Sequence, residues 1–405
     1  MPSPISRPAD KYSPLYFLAS LGAGGLSVTF FMYLMFWVPH PGRPVPIFED
    51  IAPILTGDAP MYSKAAVAIA LAGIAIFSVL NLRSIAWNFS SLSAFRKTPA
   101  YETLRNSNAE TTLLAGPLAT AMTVNVLFIL GLVFVPGLWS VVEYLFPLAL
   151  LAFLGIGVWA FSIIADFLGR ILTKGGVFDV TANNSFAQLL PAFALAMIAV
   201  GLAAPAAMST NVVTMGTSLV LSSFFGIASI VYTIVALILA FNSMIHYGTA
   251  REAGPTLMVI VPIMTVLGIM ALRQSHGLHV GFDVHTTAGE TMVFLARMLT
   301  VQFLFLGLGL LVLRRQGYFK DFVFGTQTSP GSYALVCPGV ALSVMIQFFV
   351  NKGLVAAGVV EKFGVAYWSL TAVALAFQLA MIVLVFRLNR QHFGRPQPGH
   401  AVPAE

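Results

Sequence analysis

Ten stretches of this 405-residue chain are each long and apolar enough to cross a bilayer. Crossing the hydrocarbon core takes about twenty apolar residues of helix. The stretches fall at about 14–37, 65–82, 110–135, 139–168, 184–208, 212–244, 255–272, 287–313, 332–351 and 364–386. In lipid, every backbone amide and carbonyl must find its partner inside the protein, and only helices and closed barrels manage this. Segments of this length are helices. The chain therefore reads as an all-α integral membrane protein of ten spans, a single transmembrane domain over 1–405 with a tail at 387–405. Composition agrees, because only 9% of residues are charged, against about 25% in soluble domains. No loop is long enough for a separate soluble domain. The first stretch is too long for a signal peptide, and no polar domain follows it, so it reads as a retained span.

Charge tests the count. With the N-terminus in the cytoplasm, the cytoplasmic segments hold 15 of the 21 Lys and Arg residues, Arg7 and Arg395 among them. The outer segments hold 5: Arg43, Lys64, Arg273, Lys352 and Lys362, with Arg297 inside a span. This is the positive-inside bias, and a wrong span count would scramble it. Both termini are thus expected in the cytoplasm, in a multi-pass protein of the cell inner (plasma) membrane. The net charge of +6 reflects those loops, and no nucleic-acid partner is expected. The turns at Pro136-Gly137 and Ser209-Asn211 are so short that each reads as a tight helical hairpin. The segment from Ser91 to Asn108 reads as a surface helix or loop, and Pro39 to Met61 as a long outer loop.

Four prolines then divide the spans into two classes. Pro117, Pro191, Pro262 and Pro338 are separated by 74, 71 and 76 residues and fall in spans 3, 5, 7 and 9. Each removes a backbone hydrogen bond and kinks its helix. Such breaks survive in lipid only where protein or a wet cavity satisfies the freed carbonyls. Span 1 carries Gly22, Gly24 and Gly25 at the matching depth, and glycine leaves room for a close neighbour or a permeant species. The chain reads as five helical hairpins whose odd members surround a central path. These seven residues are its expected shapers.

Few polar groups fall inside the spans. Arg297 lies about ten residues into span 8 with Glu290 on the same face, and a charge at that depth costs several kcal/mol unless paired. It serves either transport or an interhelical pair. Asp166 and Arg170, four residues apart, read as an ion pair on span 4. Glu143 reads as solvated at the outer interface. His276, His279, His285 and Asp283 cluster after span 7, but their spacing matches no strong zinc pattern, and no metal or cofactor is expected. Asn125, Gln302, Gln347 and Gln378 suit interhelical hydrogen bonds. Ser27, Thr29, Thr120, Thr123 and Ser343 either line a wet path or bond back to their helices. No P-loop, HExxH motif or carboxylate dyad points to an enzyme. Basic loops and freed amides favour anions near the cytoplasmic mouth.

Several segments together resemble the tellurite-resistance/dicarboxylate transporter family, which includes TehA-like bacterial proteins and the plant slow-type anion channels. They are SPLYFLASLGAGGLSVTF in span 1, LLAGPLATAM in span 3, LLPAFALAM in span 5, VIVPIMTVLG in span 7 and YALVCPGVAL in span 9. The resemblance covers all ten spans and rests on order and spacing more than on any one motif. It implies five hairpins, a central pore, assembly as a homotrimer in the lipid bilayer, and transport of a small inorganic anion, sulfite or a four-carbon dicarboxylate. Family channels place a gating phenylalanine close before the proline of helix 9. Here that position holds no phenylalanine, and Leu335 or Cys337 falls nearest. Tyr333, Phe193 and Phe17 are further candidates for closing the path. The expected function is an anion channel or exporter. The alternatives are a proton-coupled transporter using Glu290, Arg297 or Asp166, and a non-transporting membrane assembly subunit.

Overall fold

The computed structural model describes residues 8–175 and 178–394. Arg7, Arg395 and the rest of the tail beyond Gly394 lie outside the described residues. The described chain is helical without strands. Ten helices are long and apolar enough to cross a membrane: span 1 Pro14–Trp37, span 2 Met61–Phe95, span 3 Asn108–Phe134, span 4 Leu138–Lys174, span 5 Phe186–Met208, span 6 Val212–Tyr247, span 7 Gly254–Phe282, span 8 Ala288–Arg315, span 9 Pro330–Val355 and span 10 Val365–Phe393. An even count brings both ends of the chain to one face, here called the N-terminal face.

Burial separates odd from even spans. The odd spans bury 89, 50, 94, 61 and 78% of their most apolar eighteen residues, the even spans 39, 39, 28, 22 and 22%. Span 1 packs on span 3, span 3 on span 5, span 5 on span 7, span 7 on span 9, and span 9 returns to span 1. The five odd spans therefore close an inner ring. Each even span lies outside, in the groove between its own hairpin partner and the next inner helix. Leu, Ile, Val and Phe on the outward faces of the even spans are exposed, as a lipid-facing surface requires.

The prolines lie in about the first third of their spans, at a change of helix type. All five inner spans begin with a 3-10 segment that passes into an α-helix, at Phe17, Ala115, Leu190, Ile260 and Val336. Pro117, Pro262 and Pro338 are each the third residue of the α segment, and Pro191 the second. The missing N–H costs little there, because the preceding 3-10 turn takes up the carbonyl it would have reached, as where the Leu190 amide donates to the Ala187 carbonyl. The prolines thus mark a change of helix type near the N-terminal face. In span 1 the third α residue is Ala19, so Gly22 lies one turn deeper than the prolines. A Cβ on Gly22 would meet Val336 at 2.9 Å, one on Gly25 would meet Val340 at 2.7 Å, and one on Gly24 would meet Met122 at 2.8 Å. These glycines let span 1 approach spans 9 and 3 closely.

Buried polar bonds join the layers. Asn81 of span 2 donates to the Ser20 carbonyl at 2.8 Å, and Ser27 meets Ser78 at 2.7 Å. Ser229 of span 6 donates to the Ala192 carbonyl at 2.7 Å, and Gln302 of span 8 to the Val261 carbonyl at 2.8 Å. Thr29, Thr120 and Thr123 bond back to carbonyls of their own helices. Span 5 is broken at Ala203 between the α segments Leu190–Leu202 and Ala204–Met208. Ser218 stitches the break, donating to the Leu202 carbonyl at 2.5 Å and accepting from the Ala206 amide at 2.8 Å.

The outer segment between spans 1 and 2 is more ordered than a loop, and the segment before span 3 takes the helical one of its two expected forms. The segment between spans 1 and 2 contains a helix at Phe48–Thr56, and a short helix at Pro99–Arg105 precedes span 3. Gly137 has φ of +71° in the turn between spans 3 and 4, a conformation that suits glycine.

Candidate functional site: the central pathway

Two cavities lie end to end inside the inner ring. The far cavity, toward the face opposite the termini, has a volume of about 550 Å³ and is lined by all five inner spans. The near cavity, toward the N-terminal face, has a volume of about 580 Å³. Phe193 of span 5 and Cys337 of span 9 line both. They mark a waist, where both side chains are buried.

The other candidates for closing the path stand elsewhere. Tyr333 is fully buried, donates to Asn389 Oδ1 at 2.9 Å and packs on His392. Leu335 packs with Met258 and Val261 in the interface between spans. Phe17 packs against Phe89 with ring centroids 5.4 Å apart. Of the expected path-shaping residues, Gly22, Gly25 and Pro262 line the far cavity. Gly24, Pro117, Pro191 and Pro338 are buried in the helix packing and line neither cavity.

The three intramembrane charges singled out from the sequence lie off the path. Arg297 is exposed on the outward face of span 8. Glu290 closes a capping box with Thr287, accepting from its amide at 2.8 Å while its own amide donates to Thr287 Oγ1 at 3.2 Å. Asp166 pairs with Arg105 at 3.0 Å instead of with Arg170. Arg170 turns to Glu110, which Arg105 also reaches at 2.7 Å. A residue four positions away on the same helix was the wrong partner because the 3-10 segment of span 3 brings a buried carboxylate against both arginines. Glu143 likewise has protein partners, accepting from Ser209 Oγ at 2.7 Å and from the Thr210 amide at 2.6 Å.

Arg273 is the cation that the sequence reading misplaced. Span 7 continues to Phe282, so Arg273 lies within the membrane segment, not in a loop. It lines the far cavity and donates through Nη1 to the Val200 carbonyl of span 5 at 2.6 Å. Its signal was present in the sequence. Arg273 follows Pro262 by 11 residues, three helical turns, and Thr265, Val266 and Ile269 fill the same face between them. His276 and His279 continue that face into the far cavity. His279 Nδ1 lies 2.9 Å from Nδ1 of His285, whose Nε2 is 3.2 Å from Asp283. Lys352 enters the lining from a π-helical turn, Phe349–Val355, at the end of span 9.

The linings carry opposite charge. Arg273, Lys352, His276 and His279 line the far cavity with no Asp or Glu, while Asp179 and Glu252 line the near cavity with no Lys or Arg, among the described residues. The Thr181 hydroxyl, donating to Asp179 Oδ1 at 2.6 Å, lowers the pKa of the Asp179 carboxyl. The expectation of cations at the mouth near the termini is thus reversed in the lining. Three basic residues near that face are held in ion pairs, Arg105 and Arg170 with Glu110 and Arg251 with Asp321. No protein-family model matches this chain, and no curated protein matches it.

Proposed function

We propose that this protein passes small anions across the membrane through the centre of its inner ring, with Phe193 and Cys337 as the constriction. One observation carries the reading: two cavities meet at those two residues, and the lining on one side of them is cationic without a carboxylate. A wall of that charge concentrates anions and repels cations. The walls between the charges are apolar, so the charged groups set the sign of the permeant species. The reading agrees with the resemblance to tellurite-resistance/dicarboxylate transporters, whose implied homotrimer is part of the same proposal. The basic bias of the N-terminal face supports a cytoplasmic position for both termini. Proton coupling through Glu290, Arg297 or Asp166 has no support from their positions, since none of them lines either cavity.

Flux through the purified chain in vesicles tests the proposal. Chloride, nitrate, sulfite and malate form the panel. The expected result is protein-dependent flux of at least one of them. Equal flux with and without protein for all four removes the reading.

A further inference from the structure

We propose that Arg273 is the anion-binding residue of the far cavity and that it selects an oxyanion with two coplanar oxygens, such as a carboxylate, over a halide. The proposal rests on the anion pathway described above and narrows its substrate class.

A guanidinium remains charged at neutral pH, and Arg273 stands half-buried in the wall of the far cavity. No carboxylate lies within 4.0 Å of Arg273 among the described residues, and its protein contact there is the single hydrogen bond to Val200. Val200 is among the last four residues of the α segment Leu190–Leu202, where the Ala203 amide caps the Ala199 and Gly201 carbonyls and Arg273 the Val200 carbonyl. That negative helix end offsets part of the charge. It also fixes one edge of the guanidinium through Nη1 and leaves the other donors of the fork without a protein partner among the described residues. The residue borders open volume, and no Asp or Glu lines that volume.

A planar fork of donors matches two parallel acceptor oxygens. A carboxylate or nitrate meets both, whereas a halide has no second acceptor to place. Val200 follows Phe193 by seven residues, about 10 Å along the helix. An oxyanion on Arg273 therefore stands roughly two turns beyond the waist, with His276 one turn farther along span 7 and Lys352 supplying further positive potential.

Arg273→Lys separates binding from capping, because lysine keeps the charge and a donor for the Val200 carbonyl but loses the fork. Thermal unfolding of the wild-type chain in detergent is measured in sodium formate, acetate and chloride at equal ionic strength. Formate and chloride fluxes are measured in vesicles for both forms. The expected results are a higher Tm in formate and acetate than in chloride, and a formate-to-chloride flux ratio that falls about tenfold in Arg273→Lys, the loss of one charge-assisted hydrogen bond. Equal wild-type Tm values in the three salts overturn the proposal even if the variant does not fold. An unchanged flux ratio in a folded variant also overturns it and leaves Arg273 as a helix cap. Oxyanion-specific stabilisation without flux of any anion would instead overturn the conduction reading and leave the site standing.

Discussion

Phe193 and Cys337 reach the waist from spans 5 and 9, which both flank span 7 in the inner ring. They are a large ring and a small thiol, so the ring supplies most of the bulk that parts the cavities. Replacing Phe193 with Ala, or more mildly with Leu, is expected to raise anion flux in vesicles, with Ala having the larger effect. Tyr333→Phe removes only a hydroxyl bonded to Asn389, away from both cavities, and is expected to leave flux at the wild-type level. A Phe193→Ala protein that conducts no better than wild type would place the barrier elsewhere. Cys337 was legible as a candidate through the resemblance, which implies a gate close before the proline of span 9. Its pairing with Phe193 was not, because the two are 144 residues apart in sequence and meet only through ring closure.

At the scale of elements, the inner helices are interrupted in a regular way near their N-terminal ends. The 3-10 segments take up the carbonyls that the prolines leave, as where the Leu190 amide donates to the Ala187 carbonyl. The break at Ala203 relies instead on neighbouring spans, with Ser218 on the Leu202 carbonyl and Arg273 on the Val200 carbonyl. Ser218 is buried and lines neither cavity. Ser218→Ala leaves the Leu202 carbonyl and the Ala206 amide without this partner, at a cost of about 1–3 kcal/mol. The expected outcome is a lower Tm in detergent with an unchanged formate-to-chloride preference. An unchanged Tm would mean that the break is satisfied in another way. Span identity and number were legible in the hydropathy alone. Span ends were not, because polar residues that end an apolar run, such as Arg273 and Gln274, remain helical when they face a cavity or a neighbour. Gln274 donates to Ser222 at 2.8 Å.

For the whole molecule, the ionic network beside the N-terminal face ties spans 3 and 4 to the helix Pro99–Arg105. Its centre is Glu110, whose side chain is 1% exposed and faces Arg105 and Arg170. Removing one partner of a buried carboxylate is costly, about 3 kcal/mol. Arg170→Met is thus expected to lower Tm clearly, whereas Asp166→Asn, at a side chain 60% exposed, should change it little. Equal effects would mean that Glu110 is not the centre of the network. Labelling of single cysteines introduced at Asp58 and at Thr103, in a Cys337→Ser background, tests the orientation. Asp58 is expected to react from outside intact cells and Thr103 only after permeabilisation. The reverse pattern would turn the protein over and exchange the sides of its two cavities.

The sequence by itself determined the solvent, the number of helices and their division into two classes. Apolar length and the spacing of four prolines are one-dimensional quantities, and the bilayer converts them directly into spans. The same reading could name Gly22 and Pro262 as glycine and proline within apolar spans, and Phe193 and Cys337 through the resemblance. Only the tertiary structure decided which of them face open volume. It also decided that Arg273 belongs to the lining, that Arg297, Glu290 and Asp166 do not, and that Arg105, Arg170 and Arg251 pair with Glu110 and Asp321. The physical reason is that a charge acts through whatever lies within a few ångströms of it. In a ring of five helices those neighbours come from spans roughly 70 residues apart, as Val200 and Arg273 do.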